Sequence, residues 1–245
     1  MLAIAREQQQ LELQGLIARC GERRQCAQRA VVVFDLDGTL LDNRPRTVAI
    51  LNDAAKNWAV QHPDAVRVIE SLSPDQLGYL FHSALSDAGI KEELIREALE
   101  LWKQRFFIDE TLSHDVPLAG AVTFANACYS AGANLIYLTG RDLPNMALGS
   151  LASLRDHGFP VGVPGTELVL KPDFDTPDLT FKQAVMPELS RLGEVIATFD
   201  NEPGNCNGFQ AQFPAATHYL LLTQFAPDPP ALHSSVKVIR DFRAG

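Results

Sequence analysis

VVVFDLDGTLLD, residues 31–42, sets four apolar residues ahead of two carboxylates, Asp35 and Asp37, one residue apart. Three valines and a phenylalanine without polar alternation read as a strand covered on both faces. The Asp-Gly step that follows marks a turn. Two like charges at the end of a buried strand repel each other, so the stretch implies a cation at the same place.

Working outward, apolar runs without helical spacing predict further buried strands at 133–138, 194–199 and 218–222, with a shorter one at 167–170. Helical stretches lie between them. One covers 120–131 and stops before Gly132; another covers 143–157, with Asp142 as N-cap and Pro144 in its first turn. Strand and helix in alternation predict an α/β fold, a doubly wound parallel sheet with helices on both faces. Residues 44–115 break the alternation with helical patterns only, including one from a capping box at Ser73, Pro74 and Gln76 to a stop at Gly89. The division that follows is a helical arm at 1–27, a core at 28–43 and 116–245, and an inserted all-helical cap at 44–115.

In such a sheet, ligands bind beyond the carboxyl ends of the strands. Three strand ends deliver polar groups there: Asp35 and Asp37; Thr139, Gly140 and Arg141; and Asp200, Asn201 and Glu202. Carboxylates aimed at one point suit a hard divalent ion, and Mg²⁺ fits because it keeps waters and accepts phosphate oxygens. A fixed cation is also required, for which Lys182 and Lys171 compete.

The order of these groups, D-x-D-G-T-L at 35–40, a strand ending in Thr139, a later lysine and an acidic strand end at Asp200, resembles the four motifs of the haloacid dehalogenase-like superfamily over residues 30 to 222. The resemblance implies that Asp35 is a nucleophile forming an aspartyl-phosphate, and that Asp37 protonates the leaving alcohol and later takes a proton from water. It implies further that Thr139 and Lys182 hold the phosphoryl group, and that Asp35, Asp200 and the backbone carbonyl of Asp37 bind Mg²⁺. Thr39 would brace the nucleophile loop, next to Gly140 and Arg141 as further substrate-side residues. Arg141 could equally contact substrate or pair with an acid. The fourth motif departs from the common pattern, leaving Asn201 or Glu202 in the supporting role. The stretch LVLKPDFDTPDLTFK is similar to the segment before the third motif in polynucleotide 3′-phosphatases, which favours Lys182. An acid at Asp37 points to phosphate monoesters, with a phosphomutase or a silent binding protein on the same scaffold as alternatives.

The formal charge of −9 argues against nucleic acid or an anionic membrane as partner. A small phosphorylated substrate and a cytoplasmic location are expected; oligomeric state is left open. Cys20, Cys26, Cys128 and Cys206 read as free thiols, the six histidines as scattered, and Trp58, Trp102, Phe106 and Phe107 as packing inside the cap rather than a substrate cage.

Overall fold

The computed structural model describes residues 1–26 and 28–244; residue 27, where the arm was expected to end, and the terminal residue 245 lie outside it. The central sheet contains β1 (Ala30–Phe34), β4 (Asn134–Asp142), β5 (Thr166–Lys171), β6 (Glu194–Asp200), β7 (Thr217–Leu221) and β8 (Lys237–Ile239). Its six strands run in the order β5-β4-β1-β6-β7-β8, each neighbouring pair parallel. The chain winds outward from β1 in both directions, and this reversal leaves a crevice at the carboxyl end of β1.

The alternation of side chains along β1 divides the core in two. Ala30, Val32 and Phe34 face a cluster that includes Leu13, Leu16 and Cys20 of helix α1 (Arg6–Gln25) and Phe124, Ala125 and Cys128 of α6 (Ala121–Ala131). Val31 and Val33 face Phe181, Met186 and Leu189 of α8 (Asp178–Leu189) and Phe209 of α9 (Pro203–Gln212). Burying one aliphatic or aromatic side chain stabilises by roughly 1.5–3 kcal/mol, so both faces of this strand contribute. Helix α1 does pack on the body, although Leu11 is exposed; Gln9 Nε2 donates to Asp241 O at 2.9 Å and anchors it to the far end of the chain.

Between the short antiparallel strands β2 (Leu41–Asp42) and β3 (Val116–Pro117) lie α2 (Arg44–Lys56), α3 (Pro63–Glu70), α4 (Phe81–Asp87) and α5 (Glu92–Arg105). They enclose a core of their own around Leu51, Trp58, Ile69, Leu85 and Ile95. The single helix expected over 73–89 is two pieces. The Ser73 capping box forms, but it starts only a 3₁₀ turn, Pro74–Gln76, and the chain is non-helical from Leu77 and bends at Tyr79 and Leu80 before α4. The break has a partner: Gln224 Nε2 donates to the Leu77 carbonyl at 2.8 Å, a contact a continued helix would have used internally.

The remaining helix, α7 (Leu143–Asp156), begins as the sequence implies, with Asp142 Oδ1 accepting from Asn145 N–H at 3.0 Å. All four cysteines are free thiols, and among the described residues no helix is long and apolar enough to cross a membrane. Strand β8 and the β2–β3 pair have no signal in the apolar pattern, being two or three residues long.

Candidate active site

Asp35 follows directly on β1, and its N–H donates to the Phe199 carbonyl at 2.9 Å, which sets it beside the end of β6. Asp200 is the last residue of that strand. The chain turns sharply after Asp37, with Gly38 N–H donating to Leu41 O at 2.7 Å. Gly38 has φ +75°, and a Cβ there would sit 2.6 Å from Asn201 Nδ2, so the turn and its close neighbour both require glycine.

Lys182, from α8, closes the arrangement. Its Nζ lies 2.8 Å from Asp35 Oδ1 and 2.7 Å from Asp200 Oδ2, with the lysine fully enclosed. Lys171 does something else: its Nζ donates to the Phe174 and Thr176 carbonyls at 3.2 and 2.9 Å and pairs with Asp178 at 2.9 Å. Of the two lysines, only Lys182 meets the carboxylates.

Burial pushes Asp35 up to about 7, with Asp200 adding to the shift and Lys182 opposing it. Burial by itself would lower the Lys182 ammonium; Asp200 and Asp35 instead raise it. When Asp35 is ionised, two carboxylates against one ammonium leave an uncompensated negative charge, and the donors are oxygen only. Asp200 is further fixed by Glu202 N–H at 2.9 Å and Asn205 Nδ2 at 3.1 Å, both to Oδ1. Among the described residues no group of three or more His, Cys, Asp or Glu side chains surrounds one point. Two carboxylates with a backbone carbonyl, water and phosphate oxygens to complete the shell is a donor set that fits Mg²⁺ and fits no soft metal.

Asp37 has surroundings opposite to those expected. Arg141 Nε donates to Oδ2 at 2.6 Å, while Arg46 Nη2 at 2.6 Å and Asn43 Nδ2 at 3.2 Å donate to Oδ1. Although burial works the other way, the Arg141 and Arg46 guanidiniums hold this carboxyl well below the usual range. The neighbouring Asp35 therefore does not decide its charge; two cations do, Arg141, for which pairing with an acid was one of two readings, and Arg46, which the sequence did not reveal. Both guanidiniums also bind Asp115, which is wholly buried.

The other expected residues divide. Gly140 and Arg141 line the cavity above Asp35, and Arg141 pairs with acids, Asp37 and Asp115. Thr139 and Thr39 are fully enclosed: the Thr139 hydroxyl accepts from Arg141 N–H at 3.2 Å, and the Thr39 hydroxyl donates to Asn201 Oδ1 at 3.4 Å. Asn201 also donates to the Gln224 carbonyl, and Glu202 accepts from Ala226 N–H at 3.0 Å, so both tie down the loop after β7.

The cavity measures about 240 Å³ and lies between the sheet edge and the helical insertion, with Asp35, Asp37 and Lys182 among the residues that line it. Tyr79, Trp102, Phe106 and Phe107 line it as well. Of the aromatics expected to pack inside the insertion, Trp58 is in its core, 3% exposed, and Trp102 packs against that core while also lining the cavity. Trp102 stacks on Phe106 with centroids 4.3 Å apart, and Arg46 lies 4.2 Å from the centroid of Phe106. Arg46, Asp115, Asn205 and Asp178 escaped the sequence reading. Each is a single charged or polar residue at an element end, with no local pattern to distinguish it.

Among solved structures, the chain resembles an inferred phosphatase from Clostridium difficile, at 14% identity and a TM-score of 0.55, covering 87% of this chain and 95% of that one. It also resembles a haloacid dehalogenase-like hydrolase from Burkholderia xenovorans LB400, at 16% identity and 0.52, covering 88% and 94%. A third likeness is to a predicted phosphoglycolate phosphatase from Haemophilus somnus, at 16% and 0.51, covering 88% and 95%. At such identities these likenesses concern the fold. No curated protein matches the chain. A family model described as haloacid dehalogenase-like hydrolase matches residues 30–170, more than half of the sequence, and these residues carry the Asp35 loop, the helical insertion and the β4 strand end. The chain belongs to the haloacid dehalogenase-like hydrolase family.

Proposed function

We propose that the protein is a Mg²⁺-dependent phosphate monoester hydrolase that acts through an aspartyl-phosphate on Asp35. The observation that carries this reading is the Lys182 ammonium held between Asp35 and Asp200 at the wall of the cavity between the sheet edge and the insertion. Asp35 attacks phosphorus, the bond to the leaving alcohol breaks, and the alcohol oxygen takes a proton. Water then attacks the same phosphorus, the bond to Asp35 breaks, and inorganic phosphate leaves with the Asp35 carboxylate restored. Lys182 offsets charge on the nucleophile and the phosphoryl oxygens. Arg141 and Arg46 orient Asp37, which lines the same cavity as an ionised carboxylate; the leaving alcohol takes its proton from solvent, and Asp37 accepts the proton of the water that attacks the aspartyl-phosphate.

Asp35, Asp200 and the Asp37 carbonyl would hold Mg²⁺, which when bound neutralises the phosphoryl group. The Gly140 and Arg141 backbone forms the phosphate-facing edge, with Thr139 supporting Arg141 from behind. Residues 44–115 act as the cap that determines specificity, and the small cavity favours a soluble metabolite. The decisive experiment is turnover of p-nitrophenyl phosphate with Mg²⁺ by the protein and its Asp35→Asn variant. Loss of turnover in the variant is expected; undiminished turnover would exclude Asp35 as nucleophile.

A further inference from the structure

We infer, resting on the phosphatase reading, that the substrate is the phosphate ester of a small cationic alcohol, its ammonium end lying among Asp178, Glu202, Tyr79, Trp102, Phe106 and Phe107. Three cationic side chains line the cavity, and each already holds carboxylates. Arg44 forks onto Asp42, with Nε at 2.8 Å and Nη2 at 2.7 Å, and reaches Asp75 with Nη1 at 3.1 Å. Arg141 is committed to Asp37 and Asp115, and Lys182 to Asp35 and Asp200. Beyond the transferring phosphate, no lining cation among the described residues is left to receive a second anionic group.

The acids differ. The Glu202 carboxylate accepts only the Ala226 N–H, at 3.0 and 3.3 Å. Asp178 has one cationic partner, Lys171, and its side chain is 59% exposed. Its other oxygen lies over Gly140, where a Cβ would collide with it, so the bare glycine is what lets this carboxylate reach the cavity edge. Tyr79, Asp178 and Glu202 line the same cavity.

The wall contributed by the insertion is aromatic. Trp102, Phe106, Phe107 and Tyr79 together present aromatic faces to the cavity, and the negative face of such a ring attracts an ammonium group. A cavity of about 240 Å³ lies under the range of roughly 300–1,000 Å³ usual for drug-sized ligands and suits a small alcohol.

The test compares ethanolamine phosphate, choline phosphate, n-propyl phosphate and phosphoglycolate. Binding is measured to the Asp35→Asn variant with Mg²⁺, and turnover with the unmodified enzyme. The expected result is that a cationic ester exceeds propyl phosphate by about tenfold in affinity and in kcat/KM, with phosphoglycolate weakest. Ethanolamine and choline phosphates separate a primary from a quaternary head. Asp178→Asn should shrink the cationic-to-neutral ratio several-fold. Equal binding of propyl phosphate, or tighter binding of phosphoglycolate, would overturn the inference even if p-nitrophenyl phosphate is hydrolysed. Preferential binding of the cationic esters without turnover of any ester would uphold it and remove the reaction instead.

Discussion

Arg46 and Asp115 are joined by two hydrogen bonds, Nε to Oδ1 at 2.8 Å and Nη2 to Oδ2 at 2.7 Å, although one opens the helical insertion and the other closes it. Both side chains are wholly enclosed. The pair therefore links the two chain crossings between the sheet and the insertion, and through Arg141 it reaches Asp37. Removing Asp115 would leave two buried guanidiniums sharing one carboxylate, a change that costs about 3–5 kcal/mol when a buried pair is broken. Asp115→Ala should lose about that much stability in urea unfolding. An unchanged midpoint would show that the pair carries no structural weight.

Lys182 and Lys171 make opposite predictions. Lys182→Met leaves two buried carboxylates facing each other and removes the phosphoryl-facing cation, so kcat should fall by roughly 10²–10³-fold or more. Lys171→Met disturbs the 172–177 loop and should cost less than about tenfold, since its partners are two carbonyls and Asp178. Steady-state kinetics on an aryl phosphate ranks the two; a reversed order would transfer the role to Lys171.

Gly140→Ala places a methyl group against the Asp178 carboxylate. Substrate affinity should fall in the variant while its circular dichroism stays that of the parent. Because the clash needs both partners, Asp178→Ala should recover part of the loss, and the two substitutions should be non-additive in KM. Strict additivity would mean that the collision is not the cause.

A bound divalent ion stabilises the folded chain in proportion to the logarithm of its concentration. Millimolar Mg²⁺ should raise the melting temperature of the parent protein, and Asp200→Asn should reduce that rise. An equal rise in both would place the ion elsewhere.

His218 is buried between the Thr198 hydroxyl at 2.8 Å and the Phe213 carbonyl at 3.0 Å, and burial lowers its pKa. Unfolded histidine titrates near 6.5, so the neutral ring contributes stability above that pH, and the contribution is lost as pH falls through the folded value. The raised Asp35 has the opposite sign, since its protonation favours the folded state as pH falls. Comparing the protein with His218→Gln cancels that background. The parent should lose more stability than the variant between pH 7.5 and 5.5, measured by urea unfolding; parallel losses would remove His218 from the account.

Residues 31–42 determined the sheet centre and the nucleophile loop without tertiary help, because an apolar run, an acid pair and a glycine turn are all local patterns. The alternation of strands and helices likewise sufficed for a doubly wound sheet, and the strand ends for a meeting of Asp35 with Asp200. Folding decided which lysine lies between those acids: the resemblance favoured Lys182, but only the packing of α8 on the sheet puts its ammonium there and leaves Lys171 on the 172–177 loop. It also decided the charge on Asp37, through Arg46, Arg141 and Asp115, which are far apart in the chain and carry no periodic signal. The aromatic residues of the insertion belong to the same class. Their spacing reads as packing, and only the approach of the insertion to the sheet puts three of the four on the cavity wall. Local interactions can be read along the chain; buried ion pairs and cavity walls depend on surfaces that meet only when the chain has closed.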